Sequence, residues 1–328
     1  MKAQTRRQWI VTHEWMVKPM RQTEWISGQG LLVWLAEVFS ALGMGTYLVG
    51  LLAGIWGITT WAWWTTVVGW ILIVVFKLPL HFLYLGRKRN FWRAIPPFTS
   101  AWKTSWFARG MFFSVVFTGA GFVQIVLWAF LNPSWFTLSS SVSSLLTVLS
   151  WIVGIVAGVF IVAVGMYCGF AMSYCKGVQF WNTGLLPVVF VLMGLADGFA
   201  LTMGVNLALG GASESVANTL EWCTRILLIV NALLILGYLV QAYRKHHAAE
   251  VAALDLIKGS TAWVFWILLV ALGIATPLIL SFVTMGMSES SAQPILIVAI
   301  ICHTIGAFAL KYSVLKVGIY RSVLPGVA

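Results

Sequence analysis

The chain has 328 residues, of which 60% are hydrophobic and only 9% charged, with a mean hydropathy of +0.93. A soluble domain carries about a quarter charged residues, so this composition excludes one and indicates a polytopic membrane protein. The net charge of +11, from 20 Lys and Arg against 9 Asp and Glu, reads as a membrane-topology signal, not as a nucleic-acid footprint. Residues 1–28, with Trp9, Trp15 and Trp25, read as a retained, partly interfacial arm. The first long apolar run, from Leu31, is too long for the core of a cleavable signal peptide. Eight stretches then reach the length of about 20 apolar residues that a membrane helix needs. They are 31–56, 61–84, 110–131, 145–170, 184–209, 221–243, 262–285 and 293–320. Helices are the expected solution, because in lipid every backbone amide must be bonded within its own segment. Asn132-Pro133-Ser134, the Ser139–Ser144 cluster and Gly210-Gly211 are among the separators. The four cysteines, Cys168, Cys175, Cys223 and Cys302, form no CxxC pair, so no metal or iron–sulfur site is spelled out, and they read as small buried hydrophobes.

Lys and Arg are distributed unevenly over the loops. Eighteen fall in the N-terminal arm, the loops after spans 2, 4 and 6, and the inner end of span 8. The loops 57–60, 132–144, 210–220 and 286–292 contain none. An even number of crossings with both termini in the cytoplasm satisfies this split, which places the protein in the inner membrane. Ala41-Leu42-Gly43-Met44-Gly45 in span 1 is similar to Gly194-Leu195-Ala196-Asp197-Gly198 in span 5, and each precedes a helix that ends in a basic loop. The fold class expected is therefore an all-α integral membrane protein, with eight helices in two four-helix bundles related by an internal repeat. The bundles would span 29–176 and 177–328.

Ionisable groups inside spans are costly and mark functional sites by default. They are Glu37, Lys77, His81, Asp197, Arg225, His303 and Lys311. Lys77 and His81 are four residues apart and share a helix face. With Glu37, Tyr84, Trp106 and Arg109 they are expected to converge at one pocket near the basic end of the first bundle. Such a pocket has the parts of a quinone site: His81 to bond a carbonyl and exchange protons, Glu37 to relay them, and aromatic walls for a flat ring. A bland alternative pairs Glu37 with Lys77 structurally and leaves His81 at a helix end. Asp197 and His303 are candidates for a proton path through the second bundle, with Asn206 or Arg225, or else form a plain interhelical contact. Lys311 is expected to snorkel to the interface, and Trp61-Ala62-Trp63-Trp64 to form an interfacial belt. Two haems are excluded on histidine count, because only His81 and His303 lie within spans, and at different depths.

Several of these residues also carry a family resemblance. Pro79-Leu80-His81-Phe82-Leu83-Tyr84-Leu85-Gly86-Arg87, followed by Arg89, Phe91 and Trp92, resembles the His–Leu–x–Leu–Gly stretch of the NrfD/PsrC/DmsC family. Thr104-Ser105-Trp106-Phe107 is similar to that family's entry to span 3, and Phe39–Gly45 to its glycine-rich signature in span 1. The resemblance implies an integral anchor subunit of a respiratory oxidoreductase complex. It would exchange electrons and protons between membrane quinone (menaquinone or ubiquinone) and a docked iron–sulfur subunit, itself wired to a catalytic subunit of molybdopterin type. The protein would hold no haem, iron–sulfur cluster or other metal of its own. Its partners would be those subunits and membrane lipid, not nucleic acid. By position, His81 leads the quinone-site candidates, and the exposed cations Arg87, Lys88, Arg89 and Arg93 suit partner docking. In the family's polysulfide and dimethyl sulfoxide reductases this loop faces outward, whereas the charge count here places it in the cytoplasm. Glu37 stands where the family often has a neutral aromatic. The rival readings are a secondary transporter using mid-membrane Asp197 and Arg225, and a structural anchor without quinone chemistry.

Overall fold

A computed structural model describes residues 20–55, 57–210, 212–245 and 247–321. Most of the expected N-terminal arm, including Trp9 and Trp15, lies outside them. Eight helices among the described residues are long and apolar enough to cross a membrane. They are α1 (Gly30–Ala53), α2 (Thr60–Tyr84), α3 (Trp106–Leu131), α4 (Ser140–Ser173), α5 (Leu185–Leu209), α6 (Glu214–Lys245), α7 (Val264–Val283) and α8 (Glu289–Lys316). The protein is all-α and crosses the membrane several times.

Four helices start well before their expected apolar limits, α3 at Trp106 among them. α4 begins at Ser140 and so absorbs the serine cluster assigned to a loop, while α6 begins at Glu214 and α8 at Glu289. Hydropathy marks where the lipid ends, but the backbone ladder continues past it. The hydroxyls of Ser144, Thr147 and Thr219 donate to carbonyls four residues back, which lets polar residues stay helical. The loop after α6 also contains a helix, His247–Lys258, whose Ala248, Ala249, Ala252 and Ala253 are buried.

α1 and α5 occupy the centre. α1 packs on α2, α4 and α5; α3 packs on α4, α5 on α6, and α7 on α8. A Cβ at Gly45 would collide with the Gly194 carbonyl and the Gly198 Cα, and a Cβ at Gly198 would collide with Gly45. The two similar glycine-rich segments thus lie against each other, backbone to backbone, a close approach that small residues permit in membranes.

α2 and α7 share a local device. Each contains π-helical turns, over Leu72–Lys77 and Val264–Ala275, followed by a proline at the start of an α-helical segment. Pro79 and Pro277 lack an N–H and crowd the carbonyl four residues back, and a widened turn absorbs the mismatch without breaking the helix. At the basic end, two short strands, β1 (Met20–Arg21) and β2 (Ile319–Tyr320), pair antiparallel. Arg21 reaches Asp255 at 2.8 Å, fastening both ends of the described region to the 247–258 helix.

Candidate functional site

Three buried polar groups on α1, α2 and α4 meet at matched depth. Glu37 lies seven residues inside the start of α1 and Lys77 seven inside the end of α2, each about 10 Å in at 1.5 Å per residue. Tyr167, near the end of α4, lies at a similar depth and joins them. Its hydroxyl is 2.6 Å from His81 Nε2 and 3.2 Å from Glu37 Oε1. Glu37, Lys77, His81 and Tyr167 are all buried, and His81 is the most accessible of them at 7%. Gly110 on α3 makes room, since a Cβ there would meet the Tyr167 ring.

Lys77 and His81 face the same centre, as their spacing predicts. The Lys77 ammonium donates to Ser114 Oγ at 2.6 Å and sits 5.0 Å from the Tyr167 ring centroid. It forms no salt bridge with Glu37, so in place of the alternative structural pair it makes a hydrogen bond to α3. His81 Nδ1 is buried and has no hydrogen-bond partner among the described residues. The Phe107 ring lies nearly parallel to the imidazole, 18° off with centroids 5.8 Å apart.

The other expected pocket residues sit elsewhere. Arg109 donates to the carbonyls of Trp102 and Lys103 at 3.0 and 2.7 Å, capping the short helix Ser100–Thr104. This is the usual use of a cation at a helix C-terminus. Trp106 stacks on Phe170 at 4.7 Å, under the Arg109 guanidinium, so Phe107 and not Trp106 walls the histidine. Tyr84 is partly exposed at the end of α2 and makes no hydrogen bond to the cluster among the described residues. Arg87, Lys88, Arg89 and Arg93 are exposed on the loop and 3₁₀ turn that follow α2, beside exposed Trp92.

Asp197 and His303 do come together, at the membrane midpoint. His303 Nε2 is 2.9 Å from Asp197 Oδ1, off the line of the ring N–H, and both side chains are 1% exposed. Nδ1 lies 3.0 Å from the Gly273 carbonyl. Asn206 is not part of this pair; its side-chain oxygen accepts from the Ala212 N–H. Arg225 has its own partners, Glu221 at 2.5 Å and Ser281 Oγ at 2.6 Å. A void of about 10 Å³ borders both Glu221 and His303, room for one water at most. Lys311 does not snorkel. It is buried, with its ammonium 3.2 Å from the Phe190 ring centroid and within Coulombic reach of both Glu37 and Asp197. Trp61 likewise leaves the expected belt and is buried, while Trp64 stays exposed.

Sequence reasoning missed Tyr167 and misread Lys311. A tyrosine inside an apolar run gives no signal of its own; its depth, matched to Glu37 and Lys77 and countable from helix ends, was the usable clue.

The family described as "Polysulphide reductase, NrfD" matches residues 30–322. The protein belongs to the NrfD family. It is similar to the C component of the polysulfide reductase of Wolinella succinogenes, 29% identical over 168 residues, covering 50% of this sequence and 52% of that one. It is similar to protein NrfD of Escherichia coli at 26% identity, covering 48% and 49%. It also resembles the C component of the sulfite dehydrogenase of Allochromatium vinosum at 25%, covering 55% and 53%. The aligned part is about half the length of each of these relatives. Two of these relatives are named as components of a polysulfide reductase and a sulfite dehydrogenase.

Proposed function

We propose that this protein is the membrane anchor through which a docked iron–sulfur subunit exchanges electrons with quinone, and that protons of that exchange pass through His81. The observation that carries this reading is the hydrogen-bonded line His81–Tyr167–Glu37, which ends at the unpartnered His81 Nδ1. The Tyr167 hydroxyl has one proton and two neighbours. When it donates to Glu37, His81 carries its proton on Nε2 and its Nδ1 accepts. As Nδ1 takes a proton from a quinol O–H, the Nε2 proton passes to Tyr167 and the Tyr167 proton to Glu37. Nδ1 then carries the proton and can donate to a quinone carbonyl, and the reverse transfer restores the first state. Glu37 takes or returns the proton at the far end, and Lys77 keeps compensating positive charge close by. Quinone, a substrate here, would supply the two-electron chemistry. Phe107 offers a flat wall beside the reacting nitrogen.

The relatives named as components of a polysulfide reductase and a sulfite dehydrogenase support a partnered role. On this reading an iron–sulfur subunit, with a catalytic subunit of molybdopterin type, docks on the basic face formed by Arg87, Lys88, Arg89 and Arg93. The same charge asymmetry supports an inner-membrane location with that face and both termini in the cytoplasm. The two bundles, 29–176 and 177–328, are read as repeats of one unit. Asp197 and His303 are read as a proton store in the second bundle, with Lys311 linking it electrostatically to Glu37. The transporter reading loses support, because Asp197 and Arg225 each hold a protein partner and offer no free charge to a solute.

The test is quinol-coupled turnover in the intact purified complex with Tyr167→Phe, which keeps the ring and deletes the relay hydroxyl. A loss of about tenfold or more, with normal partner retention, is expected for a proton-transfer group; unchanged turnover overturns the reading.

A further inference from the structure

A sizeable apolar recess lies near the opposite end of α1, α3 and α4. It is a groove of about 570 Å³ between α1, α3 and α4, well within the size range of small-molecule sites. Ile55, Trp151, Ile155 and Val159 form its edge and are each more than half exposed, so it opens sideways toward lipid. Gly154 and Gly158 keep the α4 wall low.

Its floor carries a polar group with an unmet need. Gln124 is 1% exposed. Its Nε2 donates to Ser150 Oγ at 3.0 Å, and Ser150 Oγ also accepts from Trp128 Nε1 at 2.9 Å. Gln124 Oε1 is left buried without a partner among the described residues. A carbonyl in that state favours any ligand that brings a donor. Gln124 lies seven residues inside the end of α3, about 10 Å below it, under the headgroup layer. Water is scarce there, so the donor must arrive on a lipid-soluble molecule. Acyl chains have no donor, and glycerol esters only accept. A hydroquinone has ring hydroxyls on a flat head that fits beside Trp128 and Trp151, and its tail can leave across the exposed edge. None of the lining residues is ionisable, so the groove can bind such a head but cannot exchange its protons.

We infer that this groove is a second quinol-binding site, non-catalytic and in the leaflet opposite His81, in which a hydroquinone O–H donates to Gln124 Oε1. The inference rests on the quinone reading above for the identity of the ligand, but on different residues. The experiment uses the intact complex in phosphatidylcholine nanodiscs, loaded with menaquinol-4 kept reduced, with bound quinol counted per complex after gel filtration. Two molecules are expected for the wild type. Gln124→Leu and Gly158→Leu, which remove the acceptor or fill the groove, should each weaken one of the two by about tenfold or more. Both should leave turnover at His81 intact. His81→Ala should spare the Gln124-dependent molecule. One bound quinol that depends on His81 and ignores both groove variants overturns this inference alone. Two bound quinols that neither groove variant weakens overturn it as well, and so does a phospholipid acyl chain resolved in the groove. No bound quinol at all overturns it together with the proposed function.

Discussion

The two buried histidines are built for different work. His303 has Nδ1 beside the Gly273 carbonyl and Nε2 2.9 Å from Asp197 but off the line of a hydrogen bond, and is 1% exposed. His81 has one nitrogen on a tyrosine that is itself shared with a carboxylate, and the other nitrogen free among the described residues. The first arrangement sets an imidazole directly against a carboxylate; the second sets it on a hydroxyl that reaches a carboxylate, which is the line the proposed proton transfer uses. The contrast teaches that burial and a nearby carboxylate do not by themselves distinguish the two histidines. The hydroxyl that joins His81 to Glu37 does, and the proposed function rests on it.

The sharpest break in this comparison is His81→Ala. Turnover with quinol should fall by about 10²- to 10⁴-fold, the usual worth of a general acid–base, while the melting temperature of the complex hardly moves. Asp197→Ala should behave in reverse. It leaves His303 buried without its counter-charge and should cost about 3–5 kcal/mol of stability, read as a lower thermal midpoint in detergent. The double variant Asp197→Leu with His303→Leu should recover much of that loss, because it removes both charges; failure to recover would show the pair does more than hold charge. Lys311→Met, which deletes the cation between the two histidine sites, should lower turnover by about three- to tenfold, a charge effect of about 1 kcal/mol. The smallest effect is expected at the exposed rim. Arg93→Ala should slow partner association a few-fold at low salt and do nothing at high salt, measured by stopped-flow mixing.

The helices and half of the site were legible in the sequence for one reason. Charged residues in apolar runs are costly, and Glu37, Lys77 and His81 stand out against an otherwise uncharged background. Tyr167 was illegible because a phenol among apolar residues is ordinary packing until its hydroxyl is seen between two partners. Arg109 and Trp106 were assigned to the pocket because they enter α3 near it, but side chains in a first helical turn can turn back to the preceding segment, and Arg109 finds two open carbonyls there. Lys311 sits near enough to the end of α8 to suggest snorkelling, yet the Phe190 face and the nearby carboxylates hold it inside. The helix ends were misjudged because hydropathy reports the lipid boundary, whereas backbone hydrogen bonding sets where a helix stops.

The place where Gly45 meets Gly194 and Gly198 has a mechanical consequence. Two main chains touching with no side chains between them leave nothing soft to yield, so the contact acts as a weld between α1 and α5. Any side chain placed there would have to push α1 and α5 apart along their shared line, so the spacing of the two central helices is set by residues that have no side chain at all.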